Sequence, residues 1–459
     1  MSSAANAKPV VAVIGGGYAG MAAAVTLAEA GIGCSVFEAG KTLGGRARRI
    51  EYRGEVIDNG QHILVGAYTE LLRLMCLVGV ANSSLRRVPL TLSIPPGFLL
   101  RATRTALLPG SLQLAWALLS AKGLSLADKL AAIRFMQALK RNKFHVDASM
   151  SIATLLAELK QPQNLIDHLW QPLTISAMNT PLGSASAQVF ANVLRDSLAS
   201  RREASDLLLP CADLSALFPE PAAGWLAHRG CDVRAGVRIK QILATGGQYE
   251  VISESGSQHF DGVILAVGPH QLAGLMANVA PPALSYEPIV TIYFKFDRHV
   301  RMCEAMSGQT RSLVQWFFDR KAMSDFNSPG SSPRQSEGGL IAAVISASGP
   351  HNLLSQEELA ERVLGELRRH IPDLPKPVWH KVVTEKFATF ACTPHADRPT
   401  AATCYPGVFR AGDYVAGDYP ATLEGAVRNG IGAAKASIGY LACLTSFVYS
   451  QTSTVESIT

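Results

Sequence analysis

Cysteine pairs are the first feature that this sequence lacks. Its eight cysteines lie far apart and form no C-x-x-C motif, at positions 34, 76, 211, 231, 303, 392, 404 and 443. Such spacing argues against a disulfide framework and against a structural metal cluster. We therefore expect reduced thiols in a cytoplasmic protein, and no metal site.

Long apolar runs and dense positive charge are also missing. No uninterrupted stretch of about 20 apolar residues is present, and the early apolar run Val10–Ile14 is too short for a signal peptide. The net charge of +6 is modest for 459 residues. No basic cluster carries interleaved aromatics, so nucleic acid is not an expected partner. The length suggests about three domain-sized units. A basic balance with many exposed apolar residues would suit an anionic membrane surface better. The expected location is the cytoplasm, with peripheral contact at the inner face of the cytoplasmic membrane.

The start of the chain has the pattern of a dinucleotide-binding fold. The β-branched run Val10–Ile14 predicts a strand buried on both faces. A G-x-G-x-x-G motif follows, whose expected cofactor contacts are Gly15, Gly17, Tyr18, Ala19 and Gly20. The first glycine permits a tight turn, the second lets a pyrophosphate approach, and the third lets a helix pack closely. That helix, predicted over 21–30, directs its N–H groups and dipole towards the phosphates.

A second strand, Cys34–Phe37, ends at Glu38, whose carboxylate can accept a hydrogen bond from a ribose hydroxyl. The glycines alone also fit an ordinary turn. Strand, glycines, helix, strand and acid in this order favour a dinucleotide site. The acid argues against a phosphate on that ribose, because two negative groups would repel.

The loop Gly44-Gly45-Arg46 follows the ribose acid directly. It is predicted to fold back over the pyrophosphate, with Arg46 supplying a positive charge. The alternative is a solvated basic turn.

A polar segment over 56–63 carries Gly60, Gln61 and His62. Such a segment can run beneath a flat ring and expose backbone and short polar groups to it. The alternative is a loop with a surface histidine.

The middle of the chain changes character at residue 89. Residues 89–143 mix leucines with arginines and lysines and include a predicted helix over 125–140, which is typical of an interfacial helical region, a lid or ordinary packed helices. Residues 152–198 are predicted to be helical with breaks at prolines. The apolar and basic residues that give residues 89–143 this interfacial character are Leu99, Leu100, Arg101, Arg104, Leu107, Leu108, Leu112, Leu114, Trp116, Leu118, Leu119, Lys122, Lys129, Arg134, Lys140, Arg141 and Lys143.

Strands return after residue 231. Segments 232–239, 249–252 and 261–269 are predicted to rejoin the first sheet. Strands Val290–Phe296, Ser312–Phe318 and Leu340–Ser346 predict an antiparallel sheet in a second domain. A loop is expected over 324–339, and an amphipathic helix over 357–370.

The last motif pairs a short strand, Val408–Arg410, with Gly412 and Asp413. Asp413 can accept hydrogen bonds from a polyhydroxylated chain. A helix is predicted to begin after Pro420, so that residues 421–423 present its N-terminus to an electron-rich ring. The alternative is a plain strand–turn–helix.

Together these motifs resemble the FAD-dependent amine oxidase and phytoene desaturase superfamily, over about residues 10–434. Within it, five segments resemble hydroxysqualene dehydroxylases, also called squalene-associated FAD-dependent desaturases: Asp58–His62, Asn179–Pro181, Ser186–Phe190, Ser205–Pro210 and Pro420–Arg428. The expected fold is α/β, a Rossmann-like FAD-binding domain with a parallel sheet plus an α+β substrate domain with an antiparallel sheet and a helical, membrane-facing lid. The FAD-binding domain would comprise 1–88, 229–280 and 401–442, the helical region 89–228, the antiparallel sheet 281–400 and a tail 443–459.

The resemblance implies FAD as cofactor and an isoprenoid (triterpene) substrate. The reaction implied is reductive removal of the hydroxyl of hydroxysqualene to give squalene, in hopanoid biosynthesis. No motif identifies the electron donor. The residues implied to bind FAD, including Val237 from the resemblance, are Gly15, Gly17, Tyr18, Ala19, Gly20, Glu38, Gly44, Gly45, Arg46, Gly60, Gln61, His62, Val237, Gly412, Asp413, Ala421, Thr422 and Leu423.

The reaction needs a proton donor for the departing hydroxyl. His62 is the first choice, Asp418 the second and Glu424 a third, because these polar residues lie in the motifs nearest the ring. One alternative function is an FAD desaturase that oxidises a polyisoprene. An alternative of another class is a flavin-free prenyl-binding escort protein.

Overall fold

A computed structural model describes residues 9–102, 110–324 and 338–456 of the chain. The predicted loop over 324–339 falls mostly outside these residues, as do Arg104, Leu107 and Leu108. The strands in chain order are β1 (Val10–Ile14), β2 (Gly33–Glu38), β3 (Arg49–Tyr52), β4 (Glu55–Asp58), β5 (Leu64–Val65), β6 (Leu85–Val88), β7 (Thr91–Ile94), β8 (Phe98–Arg101), β9 (Leu207–Pro210), β10 (Asp232–Ala235), β11 (Ile239–Thr245), β12 (Gln248–Ser253), β13 (Gly256–Phe260), β14 (Gly262–Leu265), β15 (Tyr286–Phe296), β16 (Met306–Gly308), β17 (Trp316–Asp319), β18 (Gly339–Ser346), β19 (Trp379–Phe390) and β20 (Val408–Arg410).

The helices are α1 (Tyr18–Glu29), α2 (Thr69–Leu77), α3 (Gly110–Ser120), α4 (Leu126–Arg141), α5 (Ile152–Glu158), α6 (Gln163–Leu165), α7 (Gln171–Met178), α8 (Ala187–Ser197), α9 (Leu214–Leu217), α10 (Pro219–Ala227), α11 (Leu272–Leu275), α12 (Arg320–Ser324), α13 (Gln356–His370) and α14 (Leu423–Glu456). A π-helical turn, Ile166–Trp170, joins α6 to α7. Short 3-10 turns cover Asn82–Ser84, Arg202–Ser205, Pro269–Gln271 and Pro350–Leu353.

A parallel sheet in the order β10-β2-β1-β14-β20 forms the first layer, and its strands come from three separate stretches of the chain. Strand β1 is central because its apolar side chains serve both faces: Val11 and Val13 pack with α1, while Ala12 and Ile14 join the larger core on the opposite side. The register sets Ile14 opposite both Phe37 and Leu265. The carboxyl ends of these strands therefore meet at one edge.

The antiparallel sheet has the order β16-β17-β18-β15-β19 within the described residues. Helix α13 covers one face, where its Val363 and Leu367 pack with Phe294 and Phe296 of β15. The opposite face joins the larger core. The parallel and antiparallel sheets confirm the predicted α/β fold class.

Two strands of the antiparallel sheet differ from the prediction. Strand β17 begins at Trp316 instead of Ser312, because Ser312 Oγ and the backbone N–H groups of 313 and 314 donate to the Glu366 carboxylate. Strand β19 was not predicted. It lies at the sheet edge and keeps many polar side chains, which masks the apolar alternation.

The region predicted as helical from residue 89 begins with strands. Strands β7 and β8 form a hairpin whose Leu92, Ile94, Phe98 and Leu100 are buried, so the prediction of a helical region was wrong there. Helix α4 agrees with its predicted position, and a reciprocal capping box between Ser125 and Asp128 starts it.

The C-terminal helix α14 continues through the boundary that we placed at residue 442. The segment 443–459, predicted as a tail, is helical as far as Glu456. Ala421 and Thr422 precede its first turn. Among the helices described, none has the length and apolar character that crossing a membrane requires.

Candidate active site

The corner formed by Gly15–Gly20 with Gly44 and Gly45, called here the glycine corner, is built by backbone contacts. Gly15 has a φ of +113°, and a Cβ on Gly20 would overlap the carbonyl oxygen of Gly15. A Cβ on Gly17 would instead lie 3.7 Å from the nearest heavy atom, the Cα of Gly45. The backbone is thus crowded beneath the corner and accessible at Gly17, where a phosphate is expected to approach.

Helix α1 leaves the glycine corner with Gly17 at its N-cap and no side-chain cap. Its first N–H groups are therefore available to an anion. The side chain of Tyr18 points into the core, where its hydroxyl donates to the carbonyl of Leu214 at 2.8 Å. Tyr18 and Ala19 can serve a cofactor through their backbone only.

Glu38 closes the corner at the end of β2. Its carboxylate accepts from the backbone N–H of Gly16 at 2.8 Å and of Gly40 at 2.7 Å. Val237 donates its backbone N–H to the Glu38 carbonyl at 2.9 Å. Glu38 and Val237, both predicted to contact FAD, are therefore neighbours in the structure.

The Gly44-Gly45-Arg46 loop folds back onto the glycine motif, where the Gly44 N–H donates to the Gly16 carbonyl at 2.9 Å. Arg46 then reaches the far end of the chain and forms an ion pair with Asp413 at 2.5 Å. Its guanidinium also donates to the carbonyl of Ala388 at 2.6 Å. The structure thereby brings together motifs that are 367 residues apart in the sequence.

Two buried tyrosine hydroxyls beside this ion pair, those of Tyr286 and Tyr414, find no hydrogen-bond partner among the described residues. Burial and the Asp413 charge raise the pKa of Tyr286 to about 12, so its hydroxyl stays protonated. Buried hydroxyls without partners are unusual in a native fold. Two of them next to Arg46 and Asp413 fit a polyhydroxylated or phosphate-bearing ligand.

His62 lies at the end of a loop that follows β4. Its Nδ1 is 2.9 Å from the Gly60 carbonyl oxygen, which can only accept, so Nδ1 carries the proton. The Nε2 atom is the one left for other chemistry. Burial lowers the pKa of the imidazole. Gly60, with a φ of +117°, allows the turn.

The segment that follows Asp413 is held by Arg398, a mostly buried side chain that was not predicted. Its guanidinium donates to the backbone carbonyls of Asp413, Val415, Gly417 and Tyr419. Four such bonds fix the backbone that leads to residues 421–423 at the start of α14.

Two of the proposed proton donors are placed elsewhere. The Asp418 side chain is 70% exposed and lies 3.7 Å from Arg195, so it does not lie in a water-excluded site. Glu424 is fully buried, but it accepts from the N–H groups of Glu70 and Leu71 and from Arg428. It caps α2 and is not free to shuttle a proton.

A cavity of about 530 Å³ lies between the start of α14 and the segment around residue 200. Its lining includes Arg87, Arg201, Arg428 and Asp196. Such a polar lining does not match the aliphatic tunnel expected for a triterpene.

Comparison with protein families shows a match to the model of the "Flavin containing amine oxidoreductase" family over residues 18–438. The chain belongs to this family. The predicted superfamily is confirmed, and the protein is an FAD-dependent oxidoreductase. The alternative of a flavin-free escort protein is therefore set aside.

Individual relatives extend over nearly the whole chain. Hydroxysqualene dehydroxylase of Rhodopseudomonas palustris is 29% identical and covers 92% of this chain and 96% of the relative. That of Zymomonas mobilis subsp. mobilis is 27% identical, with 94% and 99% covered. Zeta-carotene desaturase of Synechocystis sp. is 24% identical, with 95% and 99% covered. The solved structure of cyclohexylamine oxidase from Brevibacterium oxydans has a TM-score of 0.63 at 18% identity, covers 95% of this chain and 100% of its own, and shows the same fold.

The residues present fit the FAD that this family uses. The glycine corner, the free N–H groups of α1 and Glu38 would hold the dinucleotide, while Arg46, Asp413 and the two unpartnered hydroxyls would meet its polar chain. The individual contacts to FAD stay predictions. Sequence reasoning missed Tyr286 and Arg398, which no local motif marks, whereas Tyr414 directly follows the Gly412-Asp413 motif.

Proposed function

We propose that this flavin containing amine oxidoreductase removes the hydroxyl of hydroxysqualene reductively and releases squalene. The observation that carries the proposal is the likeness to relatives named hydroxysqualene dehydroxylase, which covers 92% and 94% of this chain. The relative named zeta-carotene desaturase is less similar, at 24% identity. An isoprenoid substrate is common to both names.

The chemistry follows from the position of the hydroxyl. The hydroxyl is allylic, so its protonation and departure as water leave a resonance-stabilised cation, and a hydride added to that cation gives the hydrocarbon. Reduced FAD supplies this hydride when it is bound. The protein itself must orient the chain, protonate the hydroxyl and exclude water, since water would return the alcohol.

His62 is the proposed proton donor, through Nε2. The Gly60 carbonyl holds Nδ1–H, so only Nε2 can exchange a proton with substrate. Because burial lowers its pKa, the imidazolium is a stronger acid than a solvated one and is depleted as the pH rises. His62→Asn keeps a donor to Gly60 but removes the acid, so turnover should fall about a hundredfold or more with FAD retained. The matched variant Asp418→Asn should keep normal turnover.

The proposed location is peripheral, on the inner face of the cytoplasmic membrane. Helices α3 and α4 expose Trp116, Leu119, Leu126 and Leu130, and basic residues lie close to them in the sequence, among them Lys129. Large apolar side chains beside positive charge suit an anionic bilayer.

Flotation with anionic and neutral liposomes tests the location. We expect flotation with anionic vesicles, and a clear loss in Leu126→Glu. Leu353→Glu is the control, because Leu353 is 90% exposed but lies far from these helices in the sequence. Equal flotation of the two variants, or none with wild type, contradicts the proposed location.

An anaerobic assay decides between the two hydride directions. The purified enzyme with reduced FAD is mixed with hydroxysqualene, and in parallel the oxidised enzyme is mixed with squalene or zeta-carotene. Squalene formed only in the first reaction supports the proposal. Turnover confined to the second makes the protein a desaturase.

A further inference from the structure

The loop that carries His62 is joined to the antiparallel sheet along one face of β15, an interface called here the polar seam. Alternate residues of a strand share a face, and three of them contact the segment 55–61. Lys295 forms an ion pair with Glu55. The Tyr293 hydroxyl donates to the Asp58 carbonyl at 3.0 Å, and Thr291 Oγ1 accepts from the Gln61 N–H at 3.3 Å. The loop is thus set by the second domain.

Arg320 completes the polar seam from the end of another strand of the sheet, just past β17. It is the first residue of α12, and its side chain is 15% exposed. One terminal nitrogen lies 3.3 Å from Asp58 Oδ2, and the other donates to Gln61 Oε1 at 3.0 Å. The guanidinium therefore bridges the two residues that flank Asn59 and Gly60.

Both partners of Arg320 are themselves tied to their surroundings. Asp58, whose side chain is 1% exposed, accepts the Leu214 N–H through its other oxygen at 2.9 Å. Gln61 donates its side-chain amide to the His62 carbonyl at 2.9 Å. A displacement of Arg320 would therefore shift the segment 58–61, including the Gly60 carbonyl that accepts from Nδ1 of His62.

We infer that Arg320 is a positioning residue for His62: by bridging Asp58 and Gln61 it fixes the turn at Gly60, and so the imidazole tautomer that presents Nε2. The inference rests on the proposed role of His62 as proton donor. A planar guanidinium has two terminal nitrogens in a fixed fork, whereas a lysine ammonium is a single point charge. Charge alone is therefore insufficient, and both contacts are needed.

Two variants separate this role from a stabilising ion pair. Arg320→Lys keeps the positive charge beside buried Asp58, which avoids the cost of an uncompensated carboxylate, but it cannot bridge to Gln61. Gln61→Met removes the second contact and leaves the ion pair in place. Arg311→Lys is the control, since Arg311 is 82% exposed and pairs with Asp167 at 2.9 Å.

The measurement is the ¹⁵N NMR spectrum of the histidine rings in the FAD-loaded enzyme, with the His62 signals assigned through His62→Asn. Wild type and Arg311→Lys should show a single His62 tautomer with the proton on Nδ1. Arg320→Lys and Gln61→Met should show averaged tautomers, and Arg320→Lys should keep a normal FAD content and melting temperature. A single Nδ1–H tautomer in both variants overturns the inference.

Steady-state kinetics with hydroxysqualene give the second measurement. We expect kcat to fall about tenfold to a hundredfold in Arg320→Lys, with KM within about twofold of wild type. Unchanged kcat in a variant with averaged tautomers also overturns the inference. If the wild type itself does not turn over hydroxysqualene, the proposed function fails, and the NMR result still decides whether Arg320 positions His62.

Discussion

The glycine corner and the polar seam support the candidate site by different physical means. The corner consists of backbone against backbone, where a single Cβ on Gly20 has no space. The seam consists of side-chain hydrogen bonds and ion pairs such as those of Arg320 and Tyr293. Each of these bonds contributes only about one to three kcal/mol to the free energy of unfolding.

This difference determines how each region should respond to change. Tightly packed backbone, as in the glycine corner, cannot adjust to an added side chain, so its geometry is either kept or lost as a whole. A network of hydrogen bonds loses its contacts one at a time. We therefore expect abrupt failure at the glycine corner and graded failure at the polar seam.

The largest effect is expected from Gly20→Ala. The new Cβ would overlap the Gly15 carbonyl oxygen, so α1 must move away from β1, at a cost of about 3 kcal/mol or more. Flavin absorbance should disappear from the purified protein, and urea unfolding should shift to lower denaturant. Gly224→Ala in α10 is the control, because nothing lies near its Cβ and alanine there should stabilise by up to about 1 kcal/mol. Flavin retained in Gly20→Ala would break the comparison.

The next effect concerns the ion pair that joins the two ends of the chain. Asp413→Asn removes the charge that faces Arg46 at 2.5 Å, and FAD affinity should fall about tenfold to a hundredfold, since hydrogen bonds to charged groups contribute about 1.5–3 kcal/mol. Fluorescence titration of the apoprotein with FAD measures this. The nearby Asp418→Asn, at an exposed position, should bind FAD as wild type does. Equal affinities for the two variants would contradict the placement of Asp413 at the cofactor.

Removing a single hydrogen bond of the polar seam should have a smaller effect than either of these changes. Tyr293→Phe removes the hydroxyl that donates to the Asp58 carbonyl at 3.0 Å, and we expect a loss of about 1 kcal/mol in the free energy of unfolding. FAD content should be unchanged. Loss of the cofactor in this variant would show that the seam fails as abruptly as the corner.

The smallest effect is a pH dependence. Burial lowers the pKa of His62 below 6.5, so the unfolded chain takes up a proton that the folded state resists. The contribution of neutral His62 to the free energy of unfolding is therefore fully present well above pH 6.5 and is lost as the pH falls through and below it. The loss of unfolding free energy between pH 7.5 and 5.5 should be smaller in His62→Asn than in wild type. His351 and His370, whose pKa values burial also lowers, contribute equally to both proteins, so the difference isolates His62.

Local patterns in the sequence were sufficient for the first strands of the parallel sheet. The prediction that segment 249–252 rejoins this sheet was wrong, because it forms β12 of a separate antiparallel sheet, β11-β12-β13. The run Val10–Ile14, the glycines and Glu38 each have a local physical reason for their residue types, and together they predicted β1, α1 and β2. Helix α4 was predicted from its pattern of apolar and basic residues, and the structure adds that Ser125 and Asp128 form its cap. The family match confirmed the superfamily that these motifs indicated.

Contacts between distant segments could not be predicted. Nothing near Arg320 in the sequence shows that it meets Asp58, because the two residues are 262 positions apart and only the tertiary fold brings them together. Strand β19 was missed because its edge position allows polar side chains. Asp418 was proposed from its closeness in sequence to Pro420, but its side chain points to solvent.

The interleaved order of the parallel sheet has a consequence for biosynthesis. Strand β20 and helix α14 lie at residues 408–456, yet Asp413, which pairs with Arg46, and the start of α14 are predicted to complete the site that Gly15 begins. A chain emerging from the ribosome therefore carries the first half of its flavin site, unfinished, until about nine-tenths of translation is over. Since elongation adds about 5–20 residues per second, we expect FAD to be captured only in the last seconds before release or afterwards. A premature stop codon anywhere upstream of the final helix should leave a colourless product.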